Sequence, residues 1–514
     1  MMSEPPQPTL YRLTAARQVW SMPELVGIIA SNADQSTLGR LARVNKTISN
    51  VALAILYRTV STNFYDLIKI LSPTKLTPDH GLSFTRPLKE TDWTRFLRYT
   101  KYVNGLVLEK VDASAEIFCV MDATRPSEDI FPSLKSFSCD SVGRTNYLTK
   151  MIFHNRLTNL EIKAWEPPLR LLQNIRTIAC SLQILRFTDK SLILDALTHA
   201  ELICLLPAIS SIVHIELPPT FFTTKIFDIL AQKQHLRIVR IPKLDEWAHG
   251  AMRINYPDFE YGFRFPDSGF PTLEALIIAD ASPQPHRRIS ITSEFKSLHD
   301  LEVKLSGQPS YANVQKYFQV LTHGFTSLTR LVLDLSAKHE TYNSEATFSM
   351  LEPLLSLSGL RSFYLANYKP MSLADRHIEQ MSRSWPLLRN FCFPGRMFFE
   401  HTELTLSALV PFIENCKFLE DLRLCIDASI KPPRELTDEL IFPKHFKKLH
   451  LLDSTPGEVN DVAAYIADIL PNETQLRYQS TESEMLRARM DKWRAISDLV
   501  DLIRKAKSRA LRRG

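Results

Sequence analysis

One six-residue pattern, L-x-x-L-x-L with apolar substitutions, recurs thirteen times along this 514-residue chain and limits what it can fold into. Copies begin at Val103 ("VNGLVL"), Leu134, Leu157 ("LTNLEI"), Leu182, Ile212, Leu236, Leu273, Leu298 ("LHDLEV"), Leu328, Leu360, Leu388, Leu419 ("LEDLRL") and Leu449 ("LHLLDS"), 23 to 37 residues apart. The second half of each copy alternates apolar and polar residues, the period of a short strand with one buried face. Segments between copies carry helical spacing, as at 311–324, 346–357, 405–416 and 459–470. A helix–strand unit cannot cover its own apolar face, whereas stacked units share one continuous core. The other reading is an ordinary doubly wound α/β domain. It requires Gly-rich turns at a ligand crevice, and the 14 glycines here are scattered.

The repeated pattern resembles a leucine-rich-repeat solenoid over residues 100–455. That family places Asn or Cys three residues beyond the third apolar position. Here Ser306, Ser336, Tyr368, Arg396 and Asp427 stand there, which implies an absent or replaced buried amide ladder. In each copy the residue between the last two apolar positions faces away from the core, as Glu161 does. Six such residues are candidate substrate contacts: Arg186, Glu216, Arg240, Glu302, Tyr364 and Arg423. Their mixed signs favour a protein or peptide over nucleic acid, with Tyr364 as an aromatic anchor. An ordinary solvated sheet face is the plain alternative.

Residues 19–60 follow another rule. Ser21 and Glu24 have capping-box spacing, with Trp20 and Leu25 placed as a hydrophobic staple and Pro23 in the first turn. Leu25, Ile28 and Ile29 make a helical stripe. A second helix is expected from Asp34 or Ser36, with Leu38, Leu41 and Ala42 on one face. Asn45 is a third cap, ahead of Ile48, Val51, Ala52 and Ile55. Three short helices bury little by themselves and need a partner or a neighbouring domain.

The run "MPELVGII" followed by "STLGRLARVNKTISNVALAILYRTV" resembles an F-box and is similar to those of mushroom-forming fungi. Pro23, Glu24, Leu25, Ile28, Leu38, Leu41, Val44, Leu56, Tyr57 and Arg58 fall on the motif, while Asn45 and Ile48 replace its usual Cys and Trp. The resemblance implies a substrate receptor of a Skp–cullin–F-box ubiquitin ligase. Pro23, Leu25, Ile28, Leu38, Leu41 and Val44 would contact the Skp adaptor, and the repeats would hold a protein substrate. The alternative is a repeat scaffold without a ligase role.

The net charge of +6 matches the six basic residues of the last stretch: Arg504, Lys505, Lys507, Arg509, Arg512 and Arg513. No basic excess marks the body as a nucleic-acid binder. That tail ends an amphipathic segment that opens with Thr481 and Glu484 and carries Leu486, Met490, Trp493, Ile496, Val500 and Ile503 on one stripe. It either caps the solenoid or reaches a partner, and its basic end is a nuclear address or a solvated helix end. The seven cysteines are odd in number, loosely spaced and set among apolar residues, as in "LICLL"; they are expected to be free, buried thiols.

Neither an apolar leader nor a membrane-length apolar run is visible, so the expected setting is intracellular, cytoplasmic or nuclear. The sequons at Asn45 and Asn472 are then chance matches. No nucleotide, zinc-protease or hydrolase motif occurs. His299–Asp300 and the Cys416/Cys425 pair are read as solvated and core residues. A non-enzyme without metal or cofactor is expected.

The expected fold class is α/β: a small N-terminal three-helix F-box bundle, then an irregular leucine-rich-repeat solenoid of helix–strand units with a C-terminal helix. The expected segments are a flexible N-terminus (1–18), the bundle (19–60), a linker or repeat cap (61–99), the solenoid (100–455) and a helical cap with basic tail (456–514).

Overall fold

A computed structural model describes residues 18–61, 64–76, 82–108, 115–126, 129–140, 150–163, 168–188, 196–218, 221–242, 269–281, 295–305, 311–335, 346–367, 371–393, 403–431, 440–478 and 484–511. The chain forms two compact units, Met1–Glu216 and Leu217–Gly514.

The first unit opens with three helices, α1 (Pro23–Ser31), α2 (Gln35–Leu41) and α3 (Lys46–Leu56). Asp34 caps α2 by accepting the Thr37 N–H at 2.7 Å, and Asn45 caps α3 by accepting the Ile48 N–H at 2.9 Å. The expected capping box at Ser21 does not form. Residues 18–21 make their own helical turn, in which the Ser21 hydroxyl donates to the Gln18 carbonyl at 2.7 Å, and Met22 takes the N-cap position of α1. The bundle core rests on small residues, Ala30 and Ala52, around Leu38. Small side chains let short helices approach closely, and the larger aliphatics are left to the periphery.

Helix α3 runs directly into strand β1 (Thr59–Val60). Helix α4 (Phe64–Lys69), the antiparallel hairpin β2 (Thr74–Leu76) and β3 (Leu82–Phe84), and helix α5 (Glu90–Thr100) follow. Strands β4 (Gly105–Leu108), β5 (Ser136–Cys139), β6 (Asn159–Ile162), β7 (Ile184–Phe187) and β8 (His214–Glu216) then add to β1 in sequence order, all parallel. Helices α6 (Ala115–Thr124), α7 (Pro168–Arg176) and α8 (Ala196–Ala208) lie in the connections.

The second unit repeats this plan. Its ladder is β9 (Ile238–Ile241), β10 (Ala275–Ala281), β11 (Asp300–Leu305), β12 (Arg330–Leu335), β14 (Ser362–Asn367), β16 (Asn390–Phe393), β17 (Asp421–Leu424), β18 (Lys448–His450) and β19 (Gln475–Arg477). A separate two-stranded pair, β13 (Ala346–Thr347) and β15 (Met371–Ser372), stands apart from the ladder. The helices are α9 (Thr224–Ala231), α10 (Tyr311–Gly324), α11 (Asp375–Ser384), α12 (Leu409–Asn415), α13 (Val459–Ile469) and α14 (Glu484–Leu511). Segment 346–357, expected as helix, is a short strand and two 3-10 turns, with Pro353 in the second turn. A proline there removes a donor that an α-helix would use.

All thirteen copies lie on strands, and their alternating apolar residues are buried: Leu106, Phe137, Leu160 and Leu185 in one unit, Leu301, Leu331, Phe363 and Leu422 in the other. Each such side chain contributes about 1.5–3 kcal/mol relative to exposure. The residue ahead of most ladder strands carries a second, less visible regularity. Its carbonyl accepts two successive N–H groups of the next unit: Asn104 from Lys135 and Ser136, Thr329 from Arg361 and Ser362, Arg389 from Glu420 and Asp421. The same fork starts at Arg58, which accepts from Asn104 and Gly105, so the ladder begins at β1 rather than near residue 100. It continues with Glu420 accepting from Lys447 and Lys448. The last copy is therefore "FKKLHL" from Phe446, three residues earlier than the sequence reading from Leu449. A further strand, β19, carries one apolar residue, Leu476.

The repeats are thus leucine-rich helix–strand units with a parallel sheet, as the sequence implies. Ser306, Ser336, Tyr368 and Arg396 lie outside the described residues. Asp427 is described, and its carboxylate accepts from Ser429 N and Oγ within its own turn at 2.9 and 2.6 Å, not from the neighbouring repeat.

Helix α14 caps the second unit. Trp493, Ile496 and Val500 are buried against it, and the indole N–H of Trp493 donates to the Ser454 carbonyl at 2.8 Å. Arg504 is buried too, donating to the carbonyls of Thr474 and Pro471. Lys507 pairs with Asp468. Two of the six basic residues are therefore structural, while Arg512, Arg513 and Thr481 lie outside the described residues. All seven cysteines are free. Cys139 and Cys416 are buried, but Cys180 and Cys204 are exposed. Cys204 sits on the outer side of α8 between buried Leu202 and Leu205, so apolar sequence neighbours did not mean a shared face. Among the described residues no helix is long and apolar enough to cross a membrane.

Candidate interaction surfaces

The bundle presents an apolar face. Met22, Leu25, Ile28, Ile29 and Val44 are 47, 37, 62, 42 and 60% exposed. Five of the twelve large exposed apolar side chains among the described residues thus fall between residues 22 and 44. Contiguous exposed apolar surface of this kind marks an interaction site. Pro23 is exposed in the first turn of α1. Leu41 is half-buried, and Leu38, at 5% exposure, belongs to the core with Ala30 and Ala52. Of the six candidate adaptor contacts, five therefore reach the surface.

Beside this face lies a concavity of about 460 Å³ lined by Trp20, Ser21, Leu41, Val44, Asn45, Thr47 and Ile48. Sequence reasoning placed Trp20 in a staple and did not single out Met22 or Ile29 as contacts. Their apolar character at the start of α1 was the available signal.

The bundle is fixed to its own unit. Tyr57 packs on Tyr99 of α5 with ring centroids 5.4 Å apart, the Tyr102 hydroxyl donates to Asn50 Oδ1 at 2.8 Å, and β1 pairs with β4. The three bundle helices and the ladder of the first unit are therefore joined without a free linker.

The strand register brings the outward residues into rows. In the first unit, Glu161, Arg186 and Glu216 are direct neighbours. Arg186 lies 3.6 Å from Glu161 and 3.9 Å from Glu216, with His214 Nδ1 at 3.3 Å. These charges satisfy one another. Glu216 is only 6% exposed, so Arg186 and Glu216 read as a neutralised structural row at least as much as a ligand surface.

In the second unit the row runs Arg240, Ile277, Glu302, Val332, Tyr364, Cys392, Arg423, His450, Arg477. Arg240, Glu302, Tyr364 and Arg423, chosen from sequence, do share this face. Cys392, His450 and Arg477 were missed: the first looked like a core thiol, and the other two follow the misplaced last copy. Burial pushes the Tyr364 phenol above its usual range, with Cys392 and Asp334 adding to the effect, so it is a neutral hydroxyl at physiological pH. Burial likewise raises the Cys392 thiol to about 11, which leaves it protonated. His299 Nδ1 lies 3.1 Å from the Ser327 carbonyl, and Asp300 accepts from Arg330 at 2.6 Å. Among the described residues no group of three His, Cys, Asp or Glu side chains could hold a metal.

No protein-family signature and no curated protein matches the chain. Among solved structures, it is similar to one described as the Rad7 and Elc1 complex in yeast, at 14% identity and a TM-score of 0.32, over 94% of this chain and 96% of that one. It is also similar to one described as a TLR13–ssRNA13 complex, at 13% identity and a TM-score of 0.32, over 71% of this chain and 52% of that one.

Proposed function

We propose that the chain is a non-catalytic substrate receptor of a Skp–cullin–F-box type ubiquitin ligase, working inside the cell. The bundle would seat a Skp-type adaptor and, through it, a cullin, while the outward rows of the sheet would hold a protein substrate. Such a receptor breaks no bonds. It raises the effective concentration of a substrate near the ubiquitin-charged enzyme.

The observation that carries this reading is the apolar face of Met22, Leu25, Ile28, Ile29 and Val44 on a bundle too thin to bury it. The direct run of α3 into β1 supports it further, because a receptor must hold its substrate at a fixed distance from the adaptor. Co-purification with a Skp adaptor tests it: wild-type chain should retain the adaptor, and Ile28→Asp with Val44→Asp should lose it without unfolding. Equal recovery from both, or from neither, rejects the reading and leaves a repeat scaffold without a ligase role.

A further inference from the structure

We propose that the outward face of the second unit, from β14 to β19, binds an acidic peptide segment of a partner protein. An apolar residue of that segment rests over Tyr364 and Cys392, and its carboxylates meet Lys448, His450 and Arg477. This names the substrate chemistry of the receptor and so rests on that reading for its biological setting, although the physical argument stands on the sheet alone.

The argument is one of uncompensated charge. On β11 and β12 the outward charges are paired: Arg330 with Asp300 at 2.6 Å and with Glu302 at 3.8 Å, Lys304 with Asp334 at 2.5 Å. On β17, Arg423 is held by Asp421 through two contacts of 3.0 Å. The pattern then stops. Among the described residues, neither Lys448 nor Arg477 has a carboxylate partner; Arg477 donates to the neutral Gln475 Oε1 at 2.8 Å. Register places His450 directly between Arg423 and Arg477, with Lys448 one outward position along the same strand. Two positive charges and a titratable one therefore share a corner whose nearest carboxylate, Asp421 opposite Lys448, is already held by Arg423. Cations left without a carboxylate partner are open to a charge-assisted contact with one brought by a ligand.

The other end of the row differs in chemistry. Tyr364 and Cys392 are adjacent, half-buried and uncharged, flanked on the same face by Ser362 and Asn390. A half-buried aromatic beside a protonated thiol offers an apolar seat with one hydroxyl donor. From β14 to β18 the ladder advances three strands, about 14 Å at ordinary strand spacing. An extended peptide covers that distance in about four residues. The face therefore selects an apolar residue followed or preceded, about four positions away, by two or more Asp or Glu.

A nucleic acid fits less well. Asp421, Asp334 and Glu302 occupy the same face, and two permanent free cations fall far below the number of phosphate contacts that sustain such binding.

The test uses the full chain and a displayed library of random 12-residue peptides. Enriched peptides should carry paired acids about four positions from an apolar residue. A labelled enriched peptide should lose at least about tenfold in affinity with Lys448→Ala plus Arg477→Ala. Those two exposed or half-exposed positions should leave thermal unfolding unchanged, and Arg237→Ala, on the other edge of the unit, serves as a control with affinity retained. Enrichment of neutral or basic peptides, no enrichment at all, or unchanged affinity in the double variant overturns the proposal. So does tighter binding of a 12-nucleotide oligo-uridine RNA that depends on the same two residues. Adaptor capture is measured in parallel. Capture without acidic-peptide selection rejects this inference alone, and selection without capture rejects the ligase reading alone.

Discussion

The backbone N–H of Ile48 donates to the side-chain oxygen of Asn45 at 2.9 Å, joining the two positions at which the bundle departs from the F-box pattern. Asn45 stands outside α3 with extended backbone and closes its first turn, while Ile48, at 2% exposure, fills the space beneath. The departures are therefore one local solution: a strong N-cap and an apolar plug. Asn45→Ala should cost about 1 kcal/mol of helix stability, whereas Asn45→Asp or Asn45→Ser should retain most of it. Hydrogen exchange in α3 reads this directly. Faster exchange in Asn45→Ala only is expected, and equal rates in all three variants would remove the cap from the account.

A second prediction concerns acid. Asp92, in the first turn of α5, accepts from Arg86 at 2.7 and 2.9 Å and from the Lys89 N–H at 2.9 Å. The Arg86 guanidinium first, and then the Lys89 N–H, hold its carboxyl far below the usual carboxylate range. A group with a depressed folded value contributes stability above its unfolded pKa, about 3.9, and loses it as pH falls further. Emission from buried Trp93, the next residue, should therefore report loosening of this corner below about pH 4. In Asp92→Asn the same signal should be perturbed at neutral pH and no longer respond to acid in that window.

Much of the ladder was legible because strand alternation is a local signal. Leu301 and Val303, or Leu422 and Leu424, announce a buried face wherever they occur, and both pairs are buried. The ends were harder. Strand β1 has two residues and β19 has one apolar side chain, so their place is fixed by hydrogen bonds to the next repeat, forked at the Arg58 carbonyl and single from the Gln475 N–H to the Lys447 carbonyl, which no short sequence window contains. The frame error at Leu449 has the same origin, since "LHLL" offers apolar residues in two frames. Within the bundle, helical spacing found Leu25 and Ile28, and the motif resemblance added Val44, but neither could tell that Leu38 points inward among alanines. That depends on how closely the helices approach.

The C-terminal helix is a cap whose removal should be visible. Trp493 is 3% exposed and its indole N–H donates to Ser454, whose hydroxyl in turn accepts the Ile426 N–H at 2.8 Å. Trp493→Ala should cost about 3–5 kcal/mol, because a large buried side chain leaves a cavity. Trp493→Phe should cost about 1–3 kcal/mol, chiefly for the orphaned carbonyl. Urea unfolding gives the magnitudes, and exchange in α14 shows whether the helix undocks first. If Trp493→Ala leaves exchange in α14 unchanged, the indole does not hold the helix in place.

The acidic-segment site carries its own pH dependence through His450. Burial first, then the Arg423 and Arg477 charges, lower its pKa, with Asp421 opposing them; Lys448 adds a like charge on the same strand. The free protein therefore holds His450 neutral at pH 7, and its protonation is disfavoured until the pH falls below about 6.5. A bound carboxylate reverses that balance by stabilising the imidazolium. Affinity for an acidic peptide should rise as pH drops from about 7.5 to about 5.5, by at most about tenfold per pH unit for one proton taken up. It should fall again near about pH 4, where the ligand's own carboxylates protonate. His450→Gln should flatten the rise yet leave the neutral-pH affinity in place, because Lys448 and Arg477 stay charged throughout. A rise that persists in His450→Gln would assign the proton elsewhere, and a fall between pH 7.5 and 5.5 would contradict a carboxylate ligand at this corner.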